Sequence, residues 1–258
     1  MHLKFGAATD PGRVRARNED CFVADGDLGF FAVIDGMGGH TGGELASATI
    51  AEAATVFIRE TAGDSDKTWP IGLDPRLSGL ANRLQVAVRS ANRALAARAL
   101  GNAALEGGGA TLAAALFGDD KLAVSNVGDC RAYLLRGGRL SQITRDHSVV
   151  AEQVEQGLID AEAARIHPLR HIVTRAISGQ AGMTVDTLEL EVEPSDRLIL
   201  CSDGVHGVLS DDEIAALVSA SGRSLDEVCR TVIDEANTRG GPDNATAVVV
   251  EMVESDVR

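Results

Sequence analysis

The chain has 258 residues, long enough for a substantial buried core, and its apolar content of 45% excludes a disordered protein. Its 24 basic and 38 acidic residues give a formal net charge of −14. That charge repels the phosphate backbone of nucleic acids and the surface of anionic membranes, so we expect neither as a partner. An acidic protein that handles an anionic substrate must neutralise charge locally, and bound divalent cations are the usual means.

The sequence also bears on compartment and assembly. Its longest uncharged stretch, residues 107–118, has 12 residues, fewer than the roughly 18 that a membrane-spanning helix needs. The first residues show neither a long apolar segment nor a cleavage pattern, which predicts a cytoplasmic protein. The four cysteines have apolar neighbours and no close pairing, which favours reduced thiols. We expect a free-standing, monomeric domain that covers residues 1–258.

Apolar residues at helical spacing predict helices, and short apolar runs between turns predict strands. In chain order, the predicted elements are a strand at 30–34, helices at 43–60 and 74–100, strands at 111–117, 122–127 and 131–136, helices at 149–156 and 161–166, strands at 184–192 and 197–202, helices at 211–219 and 224–238, and a strand at 245–253. Asp74-Pro75 predicts the start of the second helix, because a capping residue there precedes a proline. Gly137-Gly138 predicts a tight hairpin turn.

Helices and strands of comparable weight, with hairpins between strands, favour antiparallel sheets covered by helices, an α+β fold, over a doubly wound parallel sheet. Residues 146–179 break the strand pattern with amphipathic helical pieces, so we interpret them as an inserted flap. Asp146 and Ser148 at its start are typical of turn and helix-capping residues. The flap also contains His167 and His171, which we expect to contact substrate protein rather than a metal.

Carboxylates recur where apolar strands end. The runs FFAVI and LILCS are followed by Asp35-Gly36 and Asp203-Gly204, and a glycine there lets the backbone carbonyl approach a ligand closely. A single Asp-Gly pair is more often an ordinary turn. Further acids stand at the other strand ends: Glu19, Asp20, Asp129 and Asp243. We expect these six carboxylates to gather at one end of the sheets, where only bound cations would let all of them stay ionised. Oxygen ligands without His or Cys suit Mg2+ or Mn2+.

Six ordered motifs resemble those of the metal-dependent type 2C Ser/Thr protein phosphatases (the PPM family), bacterial branch. They are 15–20 (RARNED), 35–40 (DGMGGH), 109–112 (GATL), 127–131 (VGDCR), 202–205 (SDGV) and 241–244 (GPDN). The resemblance spans nearly the whole chain, and the six motifs in order make it specific. It implies a four-layer αββα sandwich, in which two stacked antiparallel sheets are flanked by helix pairs, with a metal centre at one end.

By this resemblance, the cofactors are Mn2+ or Mg2+, with two principal ions and a weaker third. Asp35 would bridge two ions, the carbonyl of Gly36 would bind one of them, and Asp203 and Asp243 would complete the first site. Glu19, with Asp20 close behind, would serve the second ion. Asp129 would share the third ion with Asp203, and Arg15 would hold the substrate phosphate. These assignments make Arg15, Asp35 and Asp203 the catalytic residues.

The expected activity is hydrolysis of phosphoserine and phosphothreonine in proteins by a metal-activated water, reversing a bacterial Ser/Thr kinase. Two ions lower the pKa of that water, and a guanidinium fork matches two phosphate oxygens. Eukaryotic members often carry a histidine as general acid where this sequence has Met37, so metal-bound water or His40 would supply the proton, and Asn244 could assist. Two alternatives are a catalytically silent phosphoprotein-binding relative and a structural cation-binding module. The second leaves Arg15 unexplained.

Overall fold

The computed structural model describes residues 2–38, 42–63, 69, 71–118 and 120–254. Their strands are β1 (His2–Asp10), β2 (Cys21–Asp25), β3 (Phe30–Met37), β4 (Gly109–Phe117), β5 (Lys121–Val127), β6 (Arg131–Arg136), β7 (Arg139–Gln142), β8 (Asp186–Glu191), β9 (Arg197–Cys201) and β10 (Ala245–Val253). Their α-helices are α1 (Gly42–Glu60), α2 (Gly79–Ala99), α3 (Val149–Glu155), α4 (Ala161–Ile166), α5 (Asp203–His206), α6 (Asp211–Val218) and α7 (Leu225–Thr238).

The strands form two five-stranded antiparallel sheets. One has the order β1-β10-β9-β6-β7 and the other β2-β3-β4-β5-β8. Successive side chains of β3 point to opposite faces of the second sheet, and both faces are buried. Phe30, Ala32 and Ile34 face α1 and α2, whereas Phe31 and Val33 pack between the two sheets. In the other sheet, β9 and β10 bury one face between the sheets and the other against α6 and α7.

The resulting layers are helix, sheet, sheet and helix, which confirms the α+β sandwich expected from the sequence. Helices α3 and α4 lie between β7 and β8, in the segment that we interpret from the sequence as a flap. Ser148 caps α3 by accepting a hydrogen bond from the backbone of Ala151, as its position predicted. None of the helices in the described residues is both long and apolar enough to cross a membrane.

Three local expectations from the sequence need correction. Helix α2 begins after Ser78, which accepts a hydrogen bond from the Ala81 backbone, rather than at Asp74. The Asp74 carboxylate instead binds the backbone and guanidinium of Arg76 and forms a turn before the helix. Strand β1 has no counterpart among the elements predicted from the sequence. The Asp203-Gly204 pair opens the short helix α5 instead of a simple turn, and Ser202 precedes that helix.

Candidate metal centre

Antiparallel pairing gathers the acidic motifs at one end of the two sheets. Asp35 lies near the end of β3, and Glu19 lies just before β2, which runs antiparallel to β3. In the other sheet, Asp203 follows β9 and Asp243 precedes β10, and these two strands are also antiparallel. Asp129 occupies the connection between β5 and β6. These elements therefore position the acids through the sheet register, as the sequence predicted.

The acids share a cleft of about 1180 Å³ that continues beneath the flap. Its acidic end, as we call it below, is lined by Arg15, Glu19, Asp35, Gly36, Asp129, Asp203, Asp243 and Asn244. Gly36 is required there by close packing, because a Cβ at this position would lie 2.5 Å from the carbonyl oxygen of Glu19 and 2.4 Å from that of Gly43. The glycine thus lets the end of β3, the start of α1 and the loop of Glu19 meet, in addition to leaving its own carbonyl accessible.

Electrostatics at the acidic end are unfavourable without cations. Burial, followed by repulsion from Asp20 and Asp203, raises the pKa of Asp35 well above its ordinary range. Burial and the neighbouring Asp203 raise the pKa of Asp129 to about 7. Carboxylates that resist ionisation at neutral pH are stabilised in their charged form by a bound cation. The cluster therefore has the electrostatic character of a divalent-cation site.

Asp20 differs from the other acids in its surroundings. It is buried, does not line the cleft, and one of its carboxylate oxygens accepts hydrogen bonds from Ser202 and Thr246. Burial raises its pKa to about 7. The structure thus places Asp20 beside Glu19 and in contact with Ser202, the residue before Asp203, and its second oxygen has no hydrogen-bond partner.

Arg15 extends from the loop before β2 toward Asp243, and the two side chains form an ion pair of 2.7 Å. Asn244 fixes this loop: its side-chain oxygen accepts a hydrogen bond from the backbone of Glu19, and its amide donates to the carbonyls of Pro11 and Arg17. Asn244 therefore fixes the backbone of the loop that contains Arg15 and Glu19. The sequence indicated its motif but not this contact.

The residues present fit hard divalent cations. Their donors are carboxylate and carbonyl oxygens, the ligands that Mg2+ and Mn2+ prefer. The buried Oδ1 atoms of Asp20 and Asp203 lack a hydrogen-bond partner. Among the described residues, no three acidic, histidine or cysteine side chains already form a compact cage. The acids instead surround the open cleft, and ions would compensate their mutual repulsion.

Sequence reasoning missed a half-buried network in the cleft wall. The guanidinium of Arg131 binds Asp146 through two of its nitrogens, with the shortest contact 2.7 Å, and also donates to the hydroxyl of Tyr133. Asp146 is therefore more than a turn residue. It fixes the start of the flap to β6, beside the loop that carries Asp129. The sequence contains no signal for this pair, because Arg131 and Asp146 are 15 residues apart in the chain.

His147 joins the flap to the loop of Asp129. The backbone of Gly128 donates to the ring Nδ1 over 3.0 Å, so the hydrogen of the neutral ring is on Nε2, which lies 3.0 Å from Asp186. Arg175, at the far end of the flap, donates to the same carboxylate. Burial lowers the pKa of His147, which keeps the ring neutral. His147 thus connects both ends of the flap with the residue before Asp129.

Two other histidines border the acidic end. The Nδ1 atom of His171, in the flap, lies 4.0 Å from a carboxylate oxygen of Asp203. The sequence indicated that this histidine contacts substrate protein and did not predict its place beside the acids. His206 is buried, and its Nε2 donates to the backbone carbonyl of Asp129 over 3.0 Å. Burial lowers the pKa of His206 to about 4, so this ring is neutral. The suggested proton donor His40 lies outside the described residues, and Met37 lines the cleft.

The chain is similar to known serine/threonine phosphatases. The Mycobacterium tuberculosis (strain CDC 1551 / Oshkosh) serine/threonine protein phosphatase PstP is 38% identical over 255 residues, which cover 98% of this chain and 46% of that protein. The chain therefore spans about half the length of this relative. The Listeria monocytogenes (strain F2365) serine/threonine phosphatase stp is 34% identical over 258 residues, 97% of this chain and 96% of that protein.

Among solved structures, the chain is similar to the catalytic domain of serine threonine protein phosphatase PstP in complex with two manganese ions. The TM-score is 0.82 at 36% sequence identity, and the match covers 98% of this chain and 99% of that one. The family model for protein phosphatase 2C matches residues 13–245. This chain belongs to the protein phosphatase 2C family.

Proposed function

We propose that this protein hydrolyses phosphoserine and phosphothreonine in proteins with the help of Mn2+ or Mg2+ held at the acidic end of the cleft. The observation that carries the proposal is the convergence of five carboxylates and one arginine on one open cleft. They are Glu19, Asp35, Asp129, Asp203, Asp243 and Arg15. Close relatives named serine/threonine phosphatases, and a similar structure with two manganese ions, support the same activity.

By the resemblance of their motifs, Asp35, the carbonyl of Gly36, Asp203 and Asp243 would hold one ion, and Asp35 and Glu19 would hold a second. Asp129 and Asp203 would hold a weaker third ion, and Asp20 would support the ligands from behind. Two divalent ions in such a site neutralise phosphate charge and lower the pKa of a water molecule.

The protein's own residues orient the substrate. The Arg15 guanidinium is exposed at the acidic end and donates one N–H to Asp243 over 2.7 Å, and its fork could bind two oxygens of a phosphate there. Asp243 would hold an ion, and the Arg15 guanidinium would hold the phosphate. Asn244 holds the loop in which Arg15 and Glu19 lie, so both side chains keep a fixed relation to Asp243.

The test is hydrolysis of a chromogenic aryl phosphate and of a phosphothreonine peptide with Mn2+, then with excess chelator. The proposal predicts turnover of both substrates with Mn2+ and loss of both with chelator. Binding of the phosphopeptide without any hydrolysis would contradict it and favour a catalytically silent phosphoprotein-binding protein. Hydrolysis of the aryl phosphate that survives chelation would contradict the metal-dependent mechanism.

We further propose that the substrates are products of a Ser/Thr protein kinase and that the protein acts as a cytoplasmic monomer in signal transduction. Such kinases consume ATP, which supports a shared cytoplasmic compartment for both enzymes. In the described residues, helices already cover the outer faces of both sheets, which supports a monomer. Light scattering and cell fractionation test these two points, and a dimer or an exported protein would contradict them.

A further inference from the structure

The cleft changes character as it passes from the acids to the flap. At this second end, which we call the flap end, its wall consists of small and medium apolar side chains on α3 and α4. They are Val150, Ala151, Val154, Ala161 and Ala164, with Val173 from the segment that follows. Phosphate and cations gain nothing from such a surface, whereas an apolar side chain of a bound polypeptide is removed from water there.

The arginines that line the cleft fall into two groups. Four of them have an acidic partner: Arg15 pairs with Asp243, Arg17 with Glu44, Arg131 with Asp146 and Arg145 with Glu155. Arg165 and Arg170 also line the cleft and are exposed, yet neither pairs with an acid anywhere in the part of the chain that the structure describes. In a protein of net charge −14, two uncompensated arginines beside an apolar wall indicate an anionic ligand.

Arg170 and Arg165 lie within reach of a polypeptide whose phosphate is bound at the acidic end. His171 lies 4.0 Å from Asp203 at the acidic end, and Arg170 is its neighbour in the chain. Consecutive Cα atoms are about 3.8 Å apart, and an extended peptide advances about 3.3 Å per residue. A polypeptide whose phosphoresidue lies at the acids can therefore reach Arg170, and then Arg165 on α4, within a few residues.

Building on the proposed function, we propose that the flap end binds the substrate segment beside the phosphoresidue and selects its chemistry. The preferred segment places an apolar side chain against α3 and α4 and a carboxylate side chain against Arg165 and Arg170. The occupant is thus an acidic, partly apolar phosphoprotein segment. Both the uncompensated arginines and the apolar wall contribute, and the cleft that contains them is continuous with the acidic end.

The experiment compares three phosphothreonine peptides of equal length. The first carries Leu and Glu on both sides of the phosphothreonine, the second replaces Glu by Gln, and the third replaces Leu by Ala. Each is tested with the wild-type protein, with the double variant Arg165→Gln/Arg170→Gln, and with Arg230→Gln. Arg230 is exposed on α7 and does not line the cleft, so its variant removes a charge elsewhere. The aryl phosphate is assayed in parallel.

Exposed ion pairs are individually weak, so we expect kcat/KM for the Glu peptide to exceed that for the Gln peptide by roughly threefold to tenfold. The difference should reside in KM, shrink at high salt, disappear in the double variant and persist in Arg230→Gln. The Ala peptide should also bind more weakly than the Leu peptide. Equal values for the Glu and Gln peptides, or a preference that survives in the double variant, would overturn the proposal.

Binding provides a readout that does not require turnover. Fluorescence anisotropy of the same labelled peptides on an Asp203→Asn background should give the same order of affinities. If the aryl phosphate is not hydrolysed at all, the proposed function fails, yet the anisotropy order still decides the selectivity. If the aryl phosphate is hydrolysed and the anisotropy order is flat, the proposed function stands and the selectivity is wrong.

Discussion

The two ends of the cleft differ in how firmly the fold holds them. At the acidic end, the acids lie at or next to strand ends whose backbones are fixed by antiparallel pairing. At the flap end, α3 has seven residues and buries only Val150, whereas α4 has six residues and buries none. Segments with so few buried contacts open at low free-energy cost. The comparison indicates a rigid centre for chemistry beside a more adaptable surface for recognition.

The largest effect is expected from the rigid end. Asp203→Asn or Asp35→Asn removes charge from the metal centre without removing volume, so either variant should lower aryl phosphate hydrolysis by roughly a hundredfold to a thousandfold. Asp234→Asn, an exposed residue on α7, is the matched control and should retain activity. Initial rates at saturating Mn2+ measure the effect. Activity within about tenfold of wild type would contradict the assignment of that aspartate as a ligand.

A smaller loss should follow from Arg15→Ala. Hydrogen bonds to charged groups contribute about 1.5–3 kcal/mol, so kcat/KM should fall roughly tenfold to a hundredfold, and Arg15→Lys should recover only part of it because the fork is lost. Calorimetric titration should show Mn2+ affinity unchanged or increased, because Asp243 loses the arginine that pairs with it. Collapse of Mn2+ binding would instead assign Arg15 a structural role.

The same contrast explains what the sequence could predict. Strand runs and Asp-Gly pairs lie close together in the chain, so Asp35, Asp203 and their sheets were predicted from local patterns. Contacts between distant residues had no such signal. The bonds that Asn244 makes to the loop of Glu19 span more than 220 residues, and the pair of Arg131 with Asp146 depends on how the flap packs. Propensity also misplaced the start of α2, because the Asp74 carboxylate bonds locally to Arg76 and Ser78 caps the helix instead.

When no metal is bound, the stability of the folded protein should depend on the ionisation of Asp129 at the acidic end. The pKa of Asp129 is about 7 in the folded protein and about 4 in an unfolded chain. Its contribution to stability is therefore complete below about pH 4 and is lost as the pH rises to about 7. In chelator, Asp129→Asn should melt at a higher temperature than wild type at pH 8, and this advantage should shrink toward pH 5.

Differential scanning calorimetry at both pH values measures the difference. Addition of Mn2+ at pH 8 should reverse the order, because the ionised carboxylate then has a cation nearby and the amide does not. An advantage that is the same at pH 5 and pH 8 would show that burial of Asp129 does not raise its pKa. Melting temperatures that do not respond to Mn2+ in either protein would contradict metal binding itself.

The smallest effects on activity should come from substitutions of His147, which connects the flap with the loop of Asp129. Asn at this position places an amide oxygen near the ring Nδ1 and keeps the acceptor for Gly128, but loses the contact with Asp186. Gln places an amide nitrogen near Nε2 and keeps the donor to Asp186, but leaves Gly128 without its acceptor. The bond from Gly128 joins neutral groups and contributes about 1 kcal/mol, and the Asp186 carboxylate keeps its bond from Arg175 when the His147 contact is lost. Each change should therefore be roughly threefold to tenfold.

The two variants should therefore fail in different ways. His147→Gln loosens the loop of Asp129, so it should raise the Mn2+ concentration needed for half-maximal aryl phosphate hydrolysis. His147→Asn loosens the flap, so it should raise KM for a phosphopeptide while the aryl phosphate rate stays near wild type. Steady-state assays with both substrates over a range of Mn2+ separate the two patterns. Identical changes in both variants would show that the flap and the metal centre move as one rigid unit, and the contrast between the two ends of the cleft would then be wrong.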